Sequence, residues 1–313
     1  MSDGGPGYYD YPVVKRPVWT WEVPAYFWLG GMAAGAYLTA SLAQNFGSAE
    51  DRRGAAGGYY VAAAALVPCA PLLIADLGRP DRFHHMLRIF KPLSPMNLGA
   101  WTLTSFTPIA FARAASHASS TGLLRGPLGL LARLVPTRLA DLAGVVLGLT
   151  LAGYSGVLLA ATNIPLWAKS KLLGGVFMAS AMASGSAAVT LQAARRSVPD
   201  ATLHRLAMVE SAASAGEMAI LTGYLVQSGK TAHPLTTGRF SVPFWLGAVG
   251  AGTLLPLLLH RVARRRQGRT LRTLSSAAAL CTICGSLALR WSIFEAGKVS
   301  SEDQRASFDL ARG

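Results

Sequence analysis

Apolar runs of about twenty residues recur from one end of this chain to the other, separated by short clusters of charge. A helix of that length crosses the ~30 Å hydrocarbon core of a bilayer. In lipid, only helices and closed barrels leave no backbone polar group without a partner. The runs predict an all-α integral membrane protein with eight transmembrane helices, at about 23–46, 55–77, 97–113, 139–162, 172–194, 203–227, 240–259 and 271–294. A shorter apolar piece at 126–134, within a long connection over 114–138, is too short to span and is expected to lie at the interface.

Composition agrees: 51 % of the 313 residues are hydrophobic and 14 % charged. The net charge of +14 raises the question of nucleic acid. The basic residues sit in the loops, with no basic face and no aromatic-lined groove, so they read as anchors to lipid headgroups and not as a nucleic-acid surface. Eight spans place both termini on one side. On the other, Arg261, Arg264, Arg265, Arg266, Arg269 and Arg272 crowd one short loop, which favours that side as cytoplasmic. Residues 1–21 are polar and aromatic and do not read as a cleavable signal peptide.

Phe27, Met32 and Gly35 match Phe177, Met182 and Gly185 at an offset of 150. This suggests a weak parallel repeat: a polar arm over 1–21, one four-helix bundle over 22–162, a second over 163–294, and a charged tail over 295–313. The first run also carries Gly31 and Gly35 in a G-x-x-x-G pattern, which admits a neighbouring helix closely.

The densest mixture of acids, bases and imidazoles runs from Asp76 to Trp101, DLGRPDRFHHMLRIFKPLSPMNLGAW. Its prolines prevent either flanking helix from continuing through it. It reads as a docking and reaction surface, with a loop at 79–96 that presents Arg82, Arg88 and Lys91 to a partner. Ionisable groups in a membrane are costly and call for a role. By topology Glu22, Asp76, Tyr154, Arg290 and Glu295 fall in the same half of the membrane as Arg79, His84, His85 and Trp167. Glu210 and Glu217, seven residues apart, share a face nearer the middle of their helix, where they either bond to Ser, Thr or Arg on neighbouring helices or relay protons.

The six histidines all lie at or near span ends, which argues against a transmembrane bis-imidazole haem. Three cysteines are too few for clusters; Cys69 and the Cys281-x-x-Cys284 pair are expected to be small packing residues, and no metal site is foreseen.

Taken together, WEVPAYFWLGGMAAGAYL (Trp21–Leu38), the Asp76–Trp101 run and YSGVLLAATNIPLWAKS (Tyr154–Ser170) resemble the NrfD/PsrC, or polysulfide reductase NrfD, family over essentially the whole chain. The resemblance implies a haem-free anchor subunit in a bacterial-type cell membrane, not catalytic alone. Such a subunit exchanges electrons between the quinone pool (menaquinone or ubiquinone) and an iron–sulfur partner of the four-cluster ferredoxin-like kind, itself wired to a molybdopterin-type or other catalytic subunit. It further implies a quinone pocket with a polar group at the start of the first span and a deeper tyrosine, positions that Glu22 and Tyr154 match; topology adds Asp76, Arg79 and His84. Two other classes fit the residues less fully: an ion or proton transporter using Glu210 and Glu217, and a lipid-modifying enzyme built on the charged cluster at 76–82.

Overall fold

A computed structural model describes residues 17–196 and 198–302, and all regular structure within them is helical. Most of the expected N-terminal arm (1–16) and of the tail (303–313) lies outside the described residues.

Helix α1 spans Glu22–Phe46, with Pro24 in its first turn, where no intrahelical N–H bond is lost. The second apolar run is not one helix. It is α2 (Ala49–Ala55), α3 (Gly57–Leu66) and α4 (Cys69–Ala75), bent at Val67–Pro68 because Pro68 has no N–H to donate. Ser48 and Asp51 cap α2 reciprocally. After a tight 3₁₀ segment at Pro80–Leu87 comes α5 (Pro95–Ser120), a full seven residues longer than the expected 113 end. Its polar C-terminal part stays helical because Arg113 finds Asp141 and His117 finds the Tyr60 hydroxyl at 2.8 Å. The short α6 (Gly126–Arg133) covers the expected interfacial piece.

Then follow α7 (Thr137–Ala160), α8 (Pro165–Ala168), α9 (Leu173–Arg195), α10 (Asp200–Ser228) and, beyond a 3₁₀ turn, α11 (His233–Thr236). A π-helical stretch, Pro243–Leu254, runs into α12 (Leu255–Ala263), and α13 (Gly268–Ser300) completes the order.

Five of these stretches are long and apolar enough to cross a membrane: Ala49–Ala75, Thr137–Ala160, Leu173–Arg195, Pro243–Ala263 and Gly268–Ser300. The other three of the expected eight, α1, α5 and α10, have 25, 26 and 29 residues but a more polar composition. Some of their ionisable side chains are turned inward: Arg113 on α5, and Glu210 and Glu217 on α10, are buried.

At the centre lies α9, packed against α1, α7, α10 and α13. Lipid tails are as apolar as leucine, so helices here associate through close van der Waals contact between small residues. Gly35 and Gly185 meet at the α1–α9 crossing, where a Cβ on Gly35 would sit 1.9 Å from the Ala181 carbonyl oxygen and one on Gly185 would sit 2.2 Å from the Ala36 nitrogen. Phe27 and Phe177 meet edge to face one layer away, with ring centroids 6.4 Å apart. The π-helical stretch and α13 touch in the same way through Gly252 and Gly285.

Candidate functional site

The break at the end of α4 and the turn into α5 leave a narrow cleft of about 50 Å³ beside the N-terminal half of α1 and the C-terminal half of α7. Tyr26, Phe27, Asp76, Met86, Met96 and Tyr154 are among its walls, and Trp19 closes one edge. Trp19 stacks on Trp167 at 6.1 Å and Trp167 on Phe294 at 5.7 Å. The Trp167 indole is fixed by donating to the Ile293 carbonyl at 2.9 Å. Tyr154 lies flat against α5, where a Cβ on Gly99 would come within 1.9 Å of its ring. Only glycine admits the ring there, which gives a physical reason for the glycine in S-P-M-N-L-G-A-W.

Tyr26 and Tyr154 are 4 % and 6 % exposed, yet neither hydroxyl bonds to another described residue. Both tyrosines line the one cleft, and neither hydroxyl oxygen is among the enclosed atoms left without a partner, so each keeps contact with open space.

At the cleft rim Thr20 links the two acids expected at the site. Its backbone N–H donates to Asp76 Oδ1 at 3.1 Å; its hydroxyl is within bonding distance of both Glu22 Oε2 and Asp76 Oδ1. The structure thus places Asp76 and Tyr154 on the walls of one cleft and ties Glu22, which is not one of its walls, to Asp76 through Thr20. It does not bring Arg79 or His84 into the cleft: both are exposed, Arg79 at the start of the 3₁₀ segment and His84 within it, packed edge-on against His85 at 4.4 Å. Arg82, Arg88 and Lys91 are exposed or partly exposed on the same loop, interleaved with exposed Phe83, Ile89, Phe90 and Leu93. Asn97 staples that loop to α5, donating to the Met86 and Ile89 carbonyls and accepting from the Lys91 N–H.

Glu210 and Glu217 lie elsewhere, between α10 and its neighbours. Glu210 is fully buried; its Oε1 accepts from Thr282 at 2.7 Å and stands 3.2 Å from His260 Nε2. Glu217 is within electrostatic reach of Arg290. The Arg290 guanidinium is held by Ser180, Ser286 and the Phe177 carbonyl, and lies over the Phe177 ring at 5.2 Å. Arg290 was expected near a span end, but α13 continues ten residues beyond it, which places it deep in the bundle.

A third polar group was not anticipated. Arg113 on α5 makes a two-pronged contact with Asp141 on α7, at 2.6 and 3.1 Å, and the Tyr59 hydroxyl on α3 bonds to both partners. A lone acid four residues into an apolar helix was the signal for it, since such an acid needs a cation on a neighbour. His260, Thr20 and the Tyr26 hydroxyl were missed for a different reason: each looks like a span-end or wall residue until its neighbours are known.

Among the described residues, no three His, Cys, Asp or Glu side chains gather as a metal site. Cys69 is buried as expected, but Cys281 is only partly buried and Cys284 is exposed on the outward face of α13, so that pair does not pack the core.

A profile of the family described as "Polysulphide reductase, NrfD" matches residues 12–301. The sequence is similar to the C subunit of polysulfide reductase from Wolinella succinogenes, 29 % identical over 306 residues that cover 90 % of this protein and 94 % of the relative. It is also similar to protein NrfD of Escherichia coli (strain K12), 26 % identical over 314 residues that cover 90 % and 96 %.

Proposed function

The chain belongs to the polysulphide reductase NrfD family and is a membrane subunit of a redox complex; from that premise we propose that the cleft between α1, α4, α5 and α7 is where it exchanges electrons between the membrane quinone pool and a partner iron–sulfur subunit. The observation that carries the reading is the pair of tyrosines, Tyr26 and Tyr154, that line the cleft with hydroxyls making no hydrogen bond to another described residue. A quinone offers two carbonyl acceptors on a flat ring, which suits two phenolic donors and an aromatic wall.

Quinone reduction takes up two electrons and two protons, and quinol oxidation returns them. This chain's part is to hold the ring and to move the protons. Thr20 has one hydroxyl hydrogen and two carboxylate oxygens beside it. Thr20 thereby sets two carboxyl groups side by side at the rim, the place where protons pass to and from the ring in this reading. Arg79 and His84, exposed on the loop beyond, connect the rim to water.

At about 50 Å³ the cleft is well below the ~300 Å³ of a preformed small-molecule pocket, so a ligand must displace its walls. Met86 and Met96, unbranched thioethers, are the walls suited to yield. Both belong to the segment that carries the basic and apolar surface of 79–96, the proposed seat of the iron–sulfur partner through Arg82, Arg88 and Lys91. A molybdopterin-type catalytic subunit beyond that partner completes the complex.

In this reading eight segments cross the bilayer: α1, α2–α4, α5, α7, α9, α10, the π-helical stretch with α12, and α13. They form halves over 22–162 and 163–294, and the contacts of Phe27 with Phe177 and of Gly35 with Gly185 support a weak repeat between them.

The test is Tyr154→Phe in the assembled complex, which keeps the packing against Gly99 and removes one hydroxyl. Quinone turnover is expected to fall about tenfold, or about 1.4 kcal/mol of barrier. Electron transfer from the catalytic subunit to a soluble dye that bypasses the membrane should be unchanged. Equal losses in both assays, or no loss in either, would overturn the reading.

A further inference from the structure

The arginine-rich loop after α12 has no part in the reading above. Arg261, Arg264, Arg265 and Arg266 are all exposed, and none makes an ion pair or a side-chain hydrogen bond with another described residue. Other cations on this face are taken: Arg205 donates to Asp51 at 2.7 Å, and Arg272 stands 3.9 Å from Asp200. The Gly268 N–H donates to Asp200 at 2.7 Å, which sets the loop beside the start of α10. Four like charges within six residues repel one another, so an anion bound among them is favoured.

Two grooves lead away from the loop along α10. The first, of about 360 Å³, runs between α10 and α12. His204, Arg261 and Arg264 line its loop end; Leu257 and Leu258 line it further in, about 10 Å along α12 from Arg264. The second, of about 430 Å³, runs between α10 and the end of α1. Arg205 and Asp51 meet at its loop end, and Leu42, Val209 and Ala212 carry it away from the loop. Met208, 53 % exposed, is a wall of both. Helix periodicity makes the division: Arg205 and Val209 fall on one face of α10, His204 and Ser211 on the next, with Met208 between them. Beside the first groove, exposed Leu254, Leu255, Leu258 and Val262 form an apolar stripe on a stretch long and apolar enough to cross a membrane.

We propose that this face holds one anionic glycerophospholipid, with its phosphate on Arg261 and Arg264 and its two acyl chains in the two grooves on either side of Met208. Each groove is charged at the loop and apolar beyond it, which is the order of groups in a lipid lying in the bilayer. A soluble anion would account for the arginines and leave the grooves empty. A lipid without net charge would fill the grooves and leave the arginines unpaired. The His204 ring carries an N–H in either protonation state and can donate to a phosphate oxygen. Arg205 commits only its Nε to Asp51, so its other two nitrogens are available to the ester carbonyls of the lipid. Met208, an unbranched thioether, can settle between two chains. The proposal stands apart from the quinone reading, because it concerns another face and needs no redox partner.

The test is native mass spectrometry of the purified, delipidated full chain in detergent, titrated with phosphatidylglycerol or with phosphatidylcholine of the same acyl chains. Saturable binding of one phosphatidylglycerol per chain is expected, in clear preference to phosphatidylcholine. The double variant Arg261→Gln and Arg264→Gln should raise the half-saturating concentration of phosphatidylglycerol about tenfold. The double variant Arg265→Gln and Arg266→Gln removes the same charge from the same loop but from outside the grooves, and should leave that concentration nearly unchanged. All four side chains are exposed, so the fold is spared. Equal losses in the two double variants would reduce the effect to general charge attraction and overturn the site. So would equal binding of the two lipids, or displacement of phosphatidylglycerol by inorganic phosphate, which would make the occupant a free anion.

Discussion

The Arg113–Asp141–Tyr59 cluster and the Glu210–His260–Arg290 line are both buried, both charged and both set between helices, yet they differ in one respect. In the first, Asp141 accepts from Arg113 through both oxygens and from Tyr59, and Arg113 lies over the Tyr59 ring at 4.4 Å. In the second, oxygens, ring nitrogens and a guanidinium nitrogen are left over among the described residues. A closed set of bonds fixes three helices and has nothing to offer a ligand or a mobile proton. An open set gives up stability and keeps the means to exchange. The same contrast separates the Asp141 cluster from the cleft at Tyr26 and Tyr154, whose two hydroxyls bond to no other described residue. Buried charge in this bundle thus comes in two kinds, one fully paired and one with atoms left over among the described residues.

The largest expected effect tests that contrast directly. Asp141→Asn leaves a buried guanidinium without its counter-charge and should lower stability by about 3–5 kcal/mol, read as denaturant or thermal unfolding in detergent. Glu210→Gln keeps an acceptor for Thr282 and should cost no more than about 1 kcal/mol. Equal losses in the two variants would erase the distinction. Next comes Thr20→Val, which preserves shape and unlinks Glu22 from Asp76; quinone turnover in the complex should fall about fivefold, about 1 kcal/mol of barrier, with stability nearly unchanged. The smallest effect concerns the loop. Charge reversal at Arg82 and Arg88 should release the soluble partner only at moderate salt, since exposed charges are screened within about 10 Å at 0.1 M ionic strength. Pull-down across a salt series reads it, and release that does not depend on salt would point to the apolar residues of the loop instead.

Most of the helical layout was legible in the sequence because long apolar runs between charge clusters permit few alternatives. The 150-residue offset even paired glycines that the fold places in contact. Where reading failed, the cause was local chemistry that hydropathy does not register. Pro68 divides one run into pieces, and Arg113 and His117 extend α5 because partners on other helices satisfy them. The candidate site was half legible. Glu22, Asp76 and Tyr154 stood out because polar groups in lipid are expensive; Asp76 and Tyr154 line one cleft, and Glu22 reaches it only through Thr20. Thr20 and Tyr26 did not stand out, because a threonine at a helix start and a tyrosine in an aromatic stretch are common. Their importance lies in which atoms they face. Arg79 and His84, read as part of the site from their topology, lie beyond the turn at Gly78 with both side chains on the surface, outside the cleft itself.

The central claim is that the Tyr26–Tyr154 cleft receives the quinone. Trp19 lies in the cleft wall and stacks on Trp167, so a quinone bound there should quench their fluorescence by contact. The most direct measurement is a titration of the purified chain with a water-soluble menaquinone analogue, comparing the parent with the double variant Tyr26→Phe and Tyr154→Phe. Saturable quenching in the parent, with the midpoint moved at least about tenfold higher in the double variant, is the predicted result, equivalent to about 1.4 kcal/mol of lost binding. Superimposable curves for the two proteins would contradict it and place the quinone elsewhere.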